Sequence, residues 1–102
     1  KEYLMKIDVE KNGNETIIKV SGRVDATTAP ELDNKVNECI DGVSKLIFDF
    51  KDMEYISSAG LRVILSAQKK MNTQGEMVVR NASEDVMDVF EITGFLDFLK
   101  FE

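Results

Sequence analysis

The spacing of hydrophobic and polar positions changes several times along this chain, and each change marks an element. Tyr3, Met5, Ile7 and Val9 alternate with Leu4, Lys6, Asp8 and Glu10, mostly apolar against polar, which is the period of a strand with one half-buried face. Asn12-Gly13-Asn14 predicts a turn, because Gly and Asn tolerate positive φ. Thr16 to Val20 then predicts a second strand, hairpin-paired with the first. Ser21-Gly22-Arg23-Val24-Asp25 leaves it as a loop.

Thr28-Ala29-Pro30-Glu31 predicts a helix start, with Thr28 as N-cap, Pro30 in the first turn and Glu31 completing a capping box. Ala29, Leu32, Val36, Cys39 and Ile40 form its buried stripe, and Asp41-Gly42 ends it. Leu46 to Phe50 reads as a central strand. A second helix is expected from about Ser58 to Met71, with Leu61, Ile64, Ala67, Gln68 and Met71 on one face, Val63 and Leu65 widening it, and Arg62, Lys69 and Thr73 pointing away.

Gly75 closes the next turn, and Met77 to Val79 reads as a short buried strand. Ser83 caps a third helix with Val86, Val89 and Phe90 inward and Gly94 just past its end. Phe98 to Phe101 is expected as a last short strand. This order predicts an α/β fold: a single domain over residues 1–102, with a mixed, mostly parallel sheet, an N-terminal hairpin and about three packed helices.

Composition narrows the chemistry. The chain has 102 residues, a formal charge of −6 and no histidine. The acidic balance argues against nucleic acid and against an anionic membrane surface. Without histidine there is no Ser-His-Asp or Cys-His catalysis and no histidine metal site. Cys39 is the lone cysteine and is expected as core filler. No run approaches the roughly 20 apolar residues of a membrane span, and no signal-peptide pattern opens the chain at Lys1. A cytoplasmic location with no metal and no cofactor is the expectation.

Ser57 and Ser58 stand at a strand-to-helix junction, where free helix N–H groups favour an anion. They read as N-caps, each contributing about 1 kcal/mol, or as phosphoryl acceptors, since a phosphate of about −1.5 to −2 charge suits the positive end of a helix. Asp25 reads as a turn former. The lesser reading makes it a neighbour of Ser58, since chain topology allows the loops after the second and third strands to share one sheet edge. Gly60, without a phosphate-loop motif around it, reads as a small residue that lets helix and sheet approach closely. Asp49 is a poor phospho-acceptor, since Asp8 and Glu10 lie on an exposed face and supply no acidic pair for magnesium.

Asp49-Phe50-Lys51-Asp52-Met53-Glu54-Tyr55-Ile56-Ser57-Ser58-Ala59-Gly60-Leu61 resembles the signature of the anti-sigma-factor antagonist family, the STAS domains. Ser21-Gly22-Arg23-Val24-Asp25 resembles the family's other landmark. The resemblance implies a bacterial transcription regulator that works by partner switching. The unphosphorylated antagonist binds an anti-sigma factor with serine kinase activity and frees the sigma factor, phosphorylation dissolves the complex, and a serine phosphatase resets it. By position relative to Gly60 the acceptor is Ser58, with Asp25, Ser57, Ala59, Gly60 and Arg62 on the partner-binding surface and no catalytic residue. The chain departs from the pattern at Ser57, where switching members carry aspartate, and at Ala59, often Ser or Thr. A constitutive, non-phosphorylated STAS interaction module of a larger signalling complex is the alternative. A small phosphate- or nucleotide-handling enzyme is a third reading, disfavoured by the absent histidine, phosphate loop and carboxylate cluster.

Overall fold

A computed structural model describes residues 4–102. The alternation at the start of the chain becomes β1 (Met5–Asn12), joined by a tight turn at Gly13 to β2 (Glu15–Val24). The two pair antiparallel, from Met5 opposite Gly22 to Asn12 opposite Glu15. Tyr3, expected to open the first strand, lies outside the described residues. After β2 come α1 (Ala29–Cys39), β3 (Lys45–Asp49), β4 (Met53–Ile56), α2 (Ser58–Asn72), β5 (Glu76–Arg80) and α3 (Glu84–Ile92). The sheet runs β1-β2-β3-β5, with β4 also paired to β2. Every pair except β1–β2 is parallel. The expected mixed, mostly parallel sheet with an N-terminal hairpin and three packed helices is therefore present.

β2 exceeds its expected length because it serves two neighbours in turn. Glu15–Lys19 pairs with β3, and Gly22–Val24 pairs with β4, with a register shift between Gly22 and Arg23. Gly22 lies at φ +86°, and a Cβ there would stand 2.4 Å from the Leu4 carbonyl oxygen. Ser21 to Val24, expected as loop, are thus strand, because β1 pairs Ser21 and Gly22 and β4 pairs Gly22 to Val24.

All three helices bury their apolar faces in one cluster with Ile18, Val20, Leu46, Phe48, Met77 and Val79 from one face of the sheet. Phe50 stacks on Phe90, whose ring meets the edge of Phe101 at 5.4 Å. The opposite face carries the row Ile17, Ile47 and Val78 between charged side chains. There Lys19 pairs with Glu10 at 2.6 Å and Arg80 with Glu102 at 3.3 Å.

Two terminal expectations need correction. Leu96–Phe98 is a 3-10 turn, and only Phe101 bridges to Val79. The capping box at Thr28 does not form. Thr28 has helical φ and ψ and no capping bond from its side chain. Its hydroxyl instead donates to the Arg23 carbonyl at 2.9 Å and accepts from the Asp25 N–H. Ser83 behaves as expected, accepting from the Val86 N–H at 3.2 Å.

Candidate functional site

Parallel pairing of β2 with β4 sets Arg23 against Tyr55 and Val24 against Ile56. The residues that follow, Asp25 and Ser57, therefore leave the same edge of the sheet side by side. The Ser57 N–H donates to the Val24 carbonyl at 2.8 Å, extending the ladder into the loop. Neighbouring loops were expected, but through β3. The bridging strand is β4, which spans four residues with the pattern buried, exposed, exposed, buried. So short a run with no alternation gives little periodic signal.

Asp25 closes the turn into α1. One of its carboxylate oxygens accepts from the Thr27 hydroxyl at 2.7 Å, the Thr27 N–H at 2.9 Å and the Thr28 N–H at 3.2 Å. These bonds, the Thr27 hydroxyl foremost, hold the carboxyl below its ordinary 3.8. Asp25 thus caps the turn that leads into α1, while the Glu31 N–H bonds to the Thr28 carbonyl at 3.1 Å.

The two serines diverge. Ser57 is the N-cap residue of α2, with extended backbone and no capping bond from its side chain. Its Oγ is buried without a hydrogen-bond partner. Ser58, the first helical residue, is exposed. The first helical bond runs from the Leu61 N–H to the Ser57 carbonyl at 2.9 Å, which leaves the N–H groups of the opening turn without intrahelical acceptors. α2 has no acidic residue in its first turn, whereas α1 has Glu31 and α3 has Glu84 and Asp85. No carboxylate of its own therefore offsets the positive end of α2.

Gly60 is buried where α2 crosses the β2–β4 pair. A Cβ there would lie 2.7 Å from both Val24 Cγ1 and Ile56 Cγ1, so the glycine sets how closely α2 seats on the sheet. Ala59 is half-buried and Arg62 exposed. Ala59, Arg62 and Val63 face Ala26, Ala29, Pro30 and Asp33 across a shallow, mostly apolar groove of about 380 Å³ between the starts of α1 and α2. Sequence reasoning missed Arg23 over the Tyr55 ring at 4.5 Å, a contact that depends on the β2–β4 register. Asp49 is a turn former, accepting from the Lys51 N–H and the Asn81 side chain. Among the described residues no group of three or more His, Cys, Asp or Glu is placed to hold a metal ion, and no helix is long and apolar enough to cross a membrane.

A mixed, mostly parallel sheet backed by three helices, with a serine-bearing helix start beside an aspartate-closed turn, is the architecture of a STAS domain. The STAS domain family model matches residues 6–102, and the chain belongs to that family. BtrV of Bordetella bronchiseptica, a candidate anti-sigma factor antagonist, is 36% identical over 94 residues, covering 90% of this chain and 81% of the relative. The anti-sigma-B factor antagonist of Bacillus subtilis is 30% identical over 96 residues, covering 93% and 88%. The fold matches the anti-sigma factor antagonist SpoIIAA in its unphosphorylated form, with a TM-score of 0.81 at 19% identity over 95% of this chain and 88% of that one. It also matches phosphorylated SpoIIAA of Bacillus, with a TM-score of 0.74 at 18% identity over 95% and 91%.

Proposed function

We propose that this protein is a cytoplasmic anti-sigma factor antagonist whose binding is switched by phosphorylation of Ser58. In its unphosphorylated form it binds an anti-sigma factor that is also a serine kinase, and the sigma factor is released. The kinase transfers the γ-phosphoryl group of ATP to the Ser58 oxygen, with ADP leaving and the hydroxyl proton lost. A serine phosphatase then restores the hydroxyl. The protein itself contributes no catalytic group.

The observation that carries this reading is the contrast between the exposed Ser58 and the buried Ser57 Oγ at a helix start lacking its own acid. A phosphate on Ser58 adds about −1.5 to −2 charge where the end of α2 tolerates it. The mostly apolar groove beside it does not tolerate it once a partner has excluded water. Only about 1.4 kcal/mol separates a tenfold change in affinity. Arg62 and Ala59 line that groove. Asp25 and Gly60 act on the surface indirectly, through the shape of the α1 turn and the seating of α2.

Incubation with the copurified kinase partner and ATP, followed by mass spectrometry, tests the proposal. One added phosphate on Ser58, lost in Ser58→Ala, is the expected result. Ser57 in place of an acidic residue favours the constitutive module instead, and absence of phosphate on either serine would establish that reading over the switch.

A further inference from the structure

The two edges of the sheet are finished differently. Beyond β5 the chain returns along the edge: the Val79 N–H donates to the Lys100 carbonyl and the Glu102 N–H to the Val79 carbonyl, both at 2.8 Å. Beyond β1, no described residue pairs with the outer edge. β1 is eight residues long, contains no proline and pairs with β2 in unbroken register. An open edge of this kind is a template for another strand.

The backbone fixes which residues present that template. The Leu4 carbonyl accepts from the Arg23 N–H at 2.6 Å, so the peptide groups of Leu4, Lys6, Asp8 and Glu10 turn toward β2. Those of Met5, Ile7 and Val9 turn outward. Ile7 and Val9 are only half-buried, at the rim of the core face. Lys6 and Asp8 lie on the other face, more than half exposed and 3.9 Å apart.

We propose that this edge binds a second copy of the same chain, β1 against β1, antiparallel about a two-fold axis at Ile7. Outward-facing peptide groups then meet their equals: Ile7 opposes Ile7 as a hydrogen-bonded pair, and Met5 opposes Val9 on the apolar face. On the polar face each Lys6 opposes an Asp8. Charge selects this register. Centring on Asp8 sets the two Asp8 carboxylates against each other, centring on Lys6 does the same with the two ammonium groups, and centring on Val9 opposes Asp8 to Glu10. The Ile7 register alone among these has no like-charged pair and closes as an isologous dimer.

The test is sedimentation of the full chain over a concentration series, with Lys6→Asp, Asp8→Lys, and an equimolar mixture of the two. Wild type is expected to dimerise reversibly, and each variant alone to dissociate at least tenfold more readily. In the mixture, the two carboxylates of the Lys6→Asp chain face the two ammonium groups of the Asp8→Lys chain, so a heterodimer of wild-type affinity is expected. Pairing within one chain cannot produce that rescue, since each variant carries like charges at both positions. A wild type still monomeric at roughly 1 mM, variants that dimerise as well as wild type, or a mixture that fails to recover would each overturn the proposal.

Discussion

The Ser57 N–H is hydrogen-bonded to the Val24 carbonyl at 2.8 Å, and this bond joins the start of α2 to the end of β2. It holds the Asp25 turn and the serine pair on one edge, and it turns Ser57 inward while Ser58 stays outside. The two adjacent hydroxyls consequently differ in access to solvent and to any enzyme.

Replacing the buried hydroxyl tests that difference in stability. An unpartnered buried polar atom is unfavourable by about 1–3 kcal/mol, so Ser57→Ala is expected to leave stability unchanged or raise it by up to about 1 kcal/mol. Ser83→Ala, which removes a cap in use, is expected to cost about 1 kcal/mol. Urea unfolding of the pair checks the contrast, and equal losses would mean that Ser57 has a partner after all.

Acid stability reports on Asp25. Its folded-state carboxyl lies below 3.8, so its contribution is complete above the unfolded value and is lost as pH falls through the lower, folded one. The gap in Tm between wild type and Asp25→Asn should hold steady above about pH 5 and shrink below pH 3.8. A gap that stays constant down to about pH 2 would contradict the hydrogen bonding described for this turn.

Gly60→Ala sets two effects against each other. A helix gains about 1 kcal/mol from alanine, while overpacking against Val24 and Ile56 costs about 1–3 kcal/mol. The close approach at 2.7 Å to two buried side chains favours the second, for a net loss of about 1 kcal/mol. A gain in Tm would show that α2 lifts away freely.

Ser58→Asp separates fold from binding. An acidic side chain in the empty first turn of α2 is expected to leave stability unchanged or raise it by about 0.3–1 kcal/mol. Partner affinity measured by calorimetry is expected to fall at least tenfold. Affinity equal to wild type would remove the switch while leaving the fold assignment untouched.

What the sequence determined by itself was local in cause. β1 announced itself by alternation, α1 and α2 by apolar stripes, and α3 by Ser83 as well, because period and capping act within one turn or one pleat. The resemblance at Asp49 to Leu61 pointed to the family. What only the tertiary structure decided depended on groups far apart along the chain. β4 exists because the far half of β2 offers it an edge, so its four residues carry no alternation of their own. Thr28 gives up the cap because its hydroxyl is engaged by the Arg23 carbonyl and the Asp25 N–H. Ser57 and Ser58 are chemically identical in the sequence. The bond to Val24 and the packing of α2 on the β2–β4 pair bury one hydroxyl and expose the other, and no pattern read along a single strand or helix contains that information.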